Sequence, residues 1–349
     1  MPTSTATRCA RACDITHLPE PMASTAPLTL RVVEARDLNP LIRAFRLAAP
    51  DGAPLPGWDA GAHLRVKVEL PGGAADWRHY SLVDTSAGAG AAPREYLIAV
   101  RREDAGRGGS RFMHERVRAG DTLDALAPQN DFPLHAGTGR AVLVAGGIGI
   151  TPVASMAARL RAEGRPVRLH YAGRSRALMA FLPELQALLG DDLVVHADDE
   201  HASRTLDLDA VLDACGAADR LYVCGPKPLL DGVLAKTQSR GWGRERVHFE
   251  LFTTPPVESG DHAFEVVLAK SGKTYTVGAK QSVLDCLIEH GEDPFYDCKR
   301  GECGVCTTPV LEGEIEHRDY VLSDAEKASG TVMQICVSRC RGKRLVLDL

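Results

Sequence analysis

Between residues 28 and 136 the apolar positions alternate with polar ones in short runs at 28–35, 42–48, 63–70, 78–83 and 95–101. Turn clusters such as Pro50-Asp51-Gly52, Pro56-Gly57 and Pro71-Gly72-Gly73 separate them. Period-two runs broken at this spacing predict antiparallel strands closing into a barrel or a sandwich, with one helical stretch at 111–118. From residue 140 the rhythm changes. Continuous apolar runs at 141–145, 167–171, 193–196, 221–223 and 247–249 alternate with helical stretches at 152–162, 179–189, 208–214 and 228–240. Strands buried on both faces and alternating with helices predict a parallel sheet. A last segment shows strands at 264–268, 274–277 and 344–347 and a helix at 283–290. The expected organisation is therefore a tail at 1–27, a β domain at 28–136, an α/β domain at 137–252, a linker at 253–262 containing Pro255-Pro256 and Gly260, and a final domain at 263–349.

The 349 residues suffice for several cores. A net charge of −5 gives no basic face for nucleic acid, and no apolar run is long enough to span a bilayer. Residues 1–27, rich in Ser, Thr, Ala and Pro, read as disordered, and Met22 offers an alternative start. Ten cysteines could mean disulfides. The N-terminus lacks an apolar signal core, however, so a reducing, cytoplasmic setting is expected.

Four of those cysteines carry the strongest chemical signal. Cys298, Cys303, Cys306 and Cys336 are spaced C-x4-C-x2-C and then twenty-nine residues to the fourth. This is the plant-type [2Fe-2S] spacing, in which a short loop supplies three thiolates. Gly301 and Gly304 suit a loop that must wrap closely around a cluster. A zinc site is the competing assignment, but only Cys303 and Cys306 form the close pair that zinc sites usually repeat. Cys340 competes with Cys336 as fourth ligand, and the long gap favours Cys336. Around the loop Glu292, Asp293, Asp297 and Glu302 gather beside Lys299 and Arg300, either as a docking rim or as a solvated face.

The other motifs point to flat, phosphorylated ligands. Arg78-His79-Tyr80-Ser81-Leu82 ends a strand with a guanidinium for a phosphate, an aromatic ring for stacking and a hydroxyl for a ring heteroatom. Gly106-Arg107-Gly108-Gly109-Ser110 precedes a helix and offers bare backbone N–H groups as a phosphate cradle. Gly146-Gly147-Ile148-Gly149-Ile150-Thr151-Pro152 leaves a buried strand and enters a helix, as a pyrophosphate site does, without being the G-x-G-x-x-G fingerprint. Cys224-Gly225-Pro226 ends another strand at the same sheet edge. Cys215 and Cys286 read as small buried residues.

Together these motifs resemble the ferredoxin–NADP reductase superfamily. The order of the segments resembles the phthalate dioxygenase reductase and vanillate O-demethylase reductase family over residues 28–349, with Glu250-Leu251-Phe252 closing the nucleotide domain. The resemblance implies a multidomain fold: an antiparallel β-barrel flavin domain, an α/β parallel-sheet nucleotide domain and an α+β ferredoxin-like (β-grasp) [2Fe-2S] domain. It implies FMN held by Arg78, Tyr80 and Ser81, with Gly108, Gly109 and Ser110 near its phosphate. NADH is implied along Gly146, Gly147, Gly149, Thr151, Cys224, Gly225 and Pro226, with Phe252 against the flavin, and Cys298, Cys303, Cys306 and Cys336 on the cluster. Ser81 and Cys224 are the expected residues at the hydride-transfer centre. Electrons are expected to run from NADH through FMN and [2Fe-2S] to a separate Rieske-type oxygenase, the reductase itself being monomeric. Two other outcomes are compatible with the same parts: an FAD-containing reductase of a diiron monooxygenase, and a redox-sensing protein without turnover. Arg174 and Arg176 leave NADPH as a competitor to NADH.

Overall fold

The computed structural model describes residues 27–86, 93–200, 206–252 and 259–349. Of the tail expected to be disordered at 1–27, residues 1–26 lie outside the described residues and Pro27 already belongs to the first strand; most of the linker, 253–258, also lies outside them. The first unit contains β1 (Pro27–Asn39), β2 (Ile42–Ala48), β3 (His63–Glu69), β4 (Ala75–Ser81), β5 (Glu95–Arg101) and β6 (Thr122–Gln129). They form one antiparallel sheet in the order β4-β3-β6-β1-β2-β5. A bridge between Leu82 and Ile98 joins the two edges and closes the barrel. Alternation decides which side faces in: Leu64, Val66 and Val68 of β3 and Phe45 and Leu47 of β2 are buried in one apolar core. Each such side chain stabilises by roughly 1.5–3 kcal/mol through burial. Helix α1 (Gly109–Glu115) starts two residues before the predicted stretch, because Gly108 turns the chain at φ 102. Strand β6 escaped the periodicity reading; its polar outer positions and Pro128 blur the alternation.

The second unit is β7 (Ala141–Gly146), α2 (Ile150–Ala162), β8 (Val167–Gly173), α3 (Leu182–Leu189), β9 (Leu193–Ala197), α4 (Leu208–Asp213), β10 (Arg220–Cys224), α5 (Lys227–Ser239) and β11 (Val247–Glu250). Its sheet is wholly parallel, in the order β11-β10-β7-β8-β9. Helix α3 is shorter than its apolar pattern, since Phe181 adopts a left-handed φ of 59 and Pro183 sits in the first turn. Because β8 and β9 extend the sheet to one side of β7 and β10 and β11 to the other, the order reverses between β7 and β10. Open α/β sheets bind ligands at the carboxyl ends of such a pair.

The third unit is β12 (Phe264–Leu268), β13 (Thr274–Val277), α6 (Val283–Glu289), β14 (Thr307–Glu312), β15 (Ile315–Glu316), α7 (Asp324–Ser329), β16 (Val332–Gln334), β17 (Arg339–Cys340) and β18 (Arg344–Leu347). The mixed sheet runs β13-β12-β18-β14-β16, with β12 and β18 parallel. Val283, Leu284 and Leu287 of α6 fill its core. The cluster loop lies between α6 and β14. Among the described residues no helix is long and apolar enough to cross a membrane.

Candidate functional site: three sites around one junction

The strand that ends at Ser81 is built for something absent from the protein itself. Arg78 Nη2, Tyr80 Oη and Ser81 Oγ are buried and have no hydrogen-bond partner. With His79 Nδ1, four such atoms lie on four consecutive residues, which is exceptional in a native interior, where buried polar groups are almost always paired. Burial pushes the Tyr80 phenol far above its ordinary range, so it stays neutral. Arg78 Nη1 bonds Asp76 and the Trp77 carbonyl, leaving one edge of the guanidinium uncommitted. Gly109 lies directly against it: a Cβ there would stand 2.8 Å from Arg78 Nε. The two motifs thus form one site, and any side chain at Gly109 would occupy it. Ser110 is placed differently. Its hydroxyl accepts from Glu103 N at 3.0 Å, closing the loop's own turn.

At the sheet's switch point the two glycine-bearing turns press on each other. A Cβ on Gly149 would meet the Cys224 carbonyl oxygen at 2.1 Å, and one on Gly146 would meet Pro226 Cδ at 2.7 Å. Gly147 has a left-handed φ of 57. Gly225 packs on the Gly146 backbone, so the turns after β7 and β10 share one crevice. Thr151 donates to the Ile148 carbonyl at 3.0 Å and secures the turn. Cys224 is fully buried; desolvation, then Glu250 and Glu302, push its thiol well up. It is a neutral thiol, not a nucleophile. Phe252 packs against the same core as Ile148, Val83 and Cys224.

Ser155, absent from the motif reading, ties this crevice to the barrel. Its hydroxyl donates to the Leu82 carbonyl at 2.7 Å and accepts from Asp84 N at 2.8 Å. One side chain thereby holds the chain just after Ser81 against α2, one turn beyond Thr151. A lone hydroxyl in the otherwise apolar run 152–158 was the available signal.

In the third unit the four cysteines converge. Cys298 meets Cys303 and Cys336, and Cys306 meets Cys336. Four converging thiols suit a cluster in which each of two irons takes two thiolates. Arg300 N donates to Cys298 Sγ at 3.3 Å. Gly301 and Gly304 have φ of 80 and 79, and a Cβ on Gly301 would stand 2.6 Å from Val337. Cys340 turns away, toward the Arg344 carbonyl. Cys215 and Cys286 bond the carbonyls of Val211 and Thr276.

The three sites meet at a buried junction. Arg65 on β3 pairs with Asp297 at 3.4 Å. His63 and His79 stack with ring centroids 4.6 Å apart on the same two strands. Burial, then Arg300 and Arg65, push His63 down to about 3, so the ring is neutral. Glu302 Oε2 accepts from Leu251 N at 2.7 Å and Oε1 from Arg300 Nε at 2.8 Å. Burial raises the Glu250 carboxyl to about 8, with Arg300 opposing and Glu302 and Asp131 adding. Of the four acids that the sequence gathers around the loop, Glu302 and Asp297 are spent at this junction and Glu292 binds Lys273 and Tyr275, while Asp293 stays exposed. The exposed large side chains near the loop are apolar, Phe295, Tyr296 and Val305.

Known proteins share this arrangement. Residues 143–234 match the oxidoreductase NAD-binding domain and residues 266–341 the 2Fe-2S iron-sulfur cluster binding domain. A putative toluene-4-sulfonate monooxygenase system reductase subunit of Comamonas testosteroni is 41% identical over 332 residues, 94% of this chain and 100% of that one. Vanillate O-demethylase oxidoreductase of Acinetobacter baylyi is 37% identical over 313 residues, 89% of this chain and 96% of that one. The solved structure of phthalate dioxygenase reductase, described as a modular structure for electron transfer from pyridine nucleotides to [2Fe-2S], aligns with a TM-score of 0.71 and 37% identity, over 93% of this chain and 98% of that one. A barrel with an orphaned polar strand, a parallel sheet with a glycine-lined switch point and a four-cysteine loop, joined in this order and at this similarity, make the chain a member of the phthalate dioxygenase reductase and vanillate O-demethylase reductase family of oxidoreductases.

Proposed function

We propose that this chain is the reductase component of a two-component oxygenase, carrying electrons from NADH through FMN and a [2Fe-2S] cluster to a separate Rieske-type oxygenase. The observation that carries the reading is the set of unpartnered buried atoms on Arg78, Tyr80 and Ser81. A flat, phosphorylated ring would satisfy them together. When bound, the flavin turns a two-electron hydride into single electrons, and the cluster carries them one at a time. Arg78 would hold the phosphate with the backbone N–H groups of Gly108, Gly109 and Ser110, since the Ser110 hydroxyl is committed to Glu103; Tyr80 would lie along the ring and Ser81 would donate to it. Gly146, Gly147, Gly149, Gly225 and Pro226 let a pyrophosphate approach the backbone, Thr151 keeps their turn in place, and neutral Cys224 borders the nicotinamide. Phe252 covers the flavin from the nucleotide side. Cys298 and Cys303 bind one iron, Cys306 and Cys336 the other.

The turn after β8 favours NADH over NADPH. Asp198 N donates to the Gly173 carbonyl and Asp199 N to that of Arg174, while Glu200 pairs with Arg176. A 2′-phosphate here would meet carboxylates and an Arg176 guanidinium already neutralised, leaving exposed Arg174 as its one cation in the turn, whereas a ribose hydroxyl could donate to an acid. The reading places a monomeric reductase in the cytoplasm, where the eight described cysteines remain free of disulfides. Acid extraction should release FMN, with two irons per chain, and kcat/KM should be higher for NADH than for NADPH. Release of FAD, or a preference for NADPH, overturns the corresponding part.

A further inference from the structure

The acids and bases of the cluster loop do more than surround it. Arg300 and Glu302 lie between cluster cysteines, and their side chains are 9% and 7% exposed. Charged side chains so deeply buried are retained only when fully engaged. Glu302 is engaged across a domain boundary: one oxygen takes Arg300 Nε and the other the backbone N–H of Leu251. Leu251 is 2% exposed, stands immediately before Phe252, and follows Glu250, whose strand position pairs with Cys224. A single carboxylate thus links the loop between Cys298 and Cys303 to the segment carrying Phe252. Among the described residues, further polar ties between the second and third units, Tyr320 to Asp231, Gln238 to Asp324 and Arg244 to the carbonyls of Tyr320, Val321 and Leu322, lie outside the loop that bears Cys298, Cys303 and Cys306.

We propose that Glu302, aimed by Arg300, is a positioning residue that clamps the cluster loop onto Leu251 and so sets the rate at which electrons pass from flavin to cluster, without acting on hydride transfer. The inference rests on the function proposed above. Electron transfer falls steeply with the separation of donor and acceptor, and a buried hydrogen bond to a backbone N–H fixes separation more tightly than a surface ion pair does. The bond is made by the loop's own residue, so a shift of the third unit would be transmitted directly to the thiolates. Arg300 Nε holds one oxygen of Glu302, so that the other faces the Leu251 N–H.

The test compares Glu302→Ala and Glu302→Gln with the wild type in the full-length holoprotein. Hydrogen exchange of the peptide containing Leu251 and Phe252 needs no turnover: it should accelerate in E302A and recover in part in E302Q, whose amide oxygen can still accept from Leu251. Anaerobic stopped-flow with NADH resolves flavin bleaching from cluster reduction. In E302A cluster reduction should slow by about tenfold or more while flavin bleaching stays within about twofold, with E302Q between them. Unchanged exchange at Leu251, or an unchanged ratio of the two phases, overturns the proposal. If E302A fails to retain its cluster, as judged by the electron paramagnetic resonance signal after dithionite reduction, E302Q decides, on the same hydrogen-exchange and stopped-flow readouts. A wild type whose cluster NADH does not reduce would refute the proposed function instead.

Discussion

Arg78 shows how much one residue can reveal about a ligand. It sits against Gly109 with Nη2 unpaired, so one edge of its guanidinium is free to bind while Asp76 holds the other. Arg78→Ala should weaken FMN retention by about 10–100-fold, the equivalent of losing a charged hydrogen bond of roughly 1.5–3 kcal/mol. Fluorescence titration of apoprotein with FMN measures this, and unaltered affinity would remove Arg78 from the site. Gly149→Ala is a second single-residue prediction. The new Cβ would stand 2.1 Å from the Cys224 carbonyl oxygen, so the turns after β7 and β10 must separate. Overpacking of this kind costs about 1–3 kcal/mol, and it should appear as a lower Tm together with a raised KM for NADH.

At the scale of elements, Ser155 joins α2 to the end of β4. Ser155→Ala leaves the Leu82 carbonyl and the Asp84 N–H without that hydroxyl, a loss of about 1–3 kcal/mol. Chemical denaturation should show that loss, and flavin bleaching by NADH should slow because the two binding segments are no longer tied; a variant that does neither would reduce Ser155 to packing. Strands β8 and β9 carry a titrating pair. His170 Nδ1 lies 3.2 Å from His196 Nε2, and burial, then His196, lower His170 to about 4. A histidine depressed on folding binds fewer protons in the native state than in the unfolded one. Stability should therefore be complete above about pH 6.5 and decline as pH falls toward 4. His170→Gln should flatten that decline by about 1–3 kcal/mol, measured by urea denaturation across the window.

For the whole molecule, the decisive property is that hydride chemistry and electron export occupy different units. Cys303→Ser should abolish the cluster's spectroscopic signature and cytochrome c reduction, yet leave NADH–ferricyanide turnover, which flavin supports alone. Loss of both would mean that the third unit is required to fold the first two. Since Glu302 and Asp297 are paired internally, Glu292 is paired with Lys273, and Phe295, Tyr296 and Val305 are exposed beside the loop, Asp293 is the one acid of that group left exposed to steer encounter with the oxygenase. The coupled rate should then change only modestly up to about 0.5 M salt, where exposed charges are screened within a few ångströms. A steep fall with ionic strength would restore charge-guided docking.

Period-two runs, continuous apolar strands and the spacing of the cluster cysteines are local properties of the chain, and they determined the barrel, the parallel sheet and the cluster loop. Short pieces were not legible in this way: β14 to β17 span two to six residues each, too few for a period to emerge. Turn chemistry overrode pattern at Phe181, where a left-handed residue followed by proline delays α3. What the sequence could not reveal is where its charges go. Arg65 and Asp297 are 232 positions apart, Ser155 and Leu82 73, and Glu302 and Leu251 51. Read along the chain, Asp297 and Glu302 belong to an acidic surface. Folding buries them against Arg65, Arg300 and a backbone N–H, because a carboxylate is stable in the interior only where a partner from elsewhere in the chain meets it.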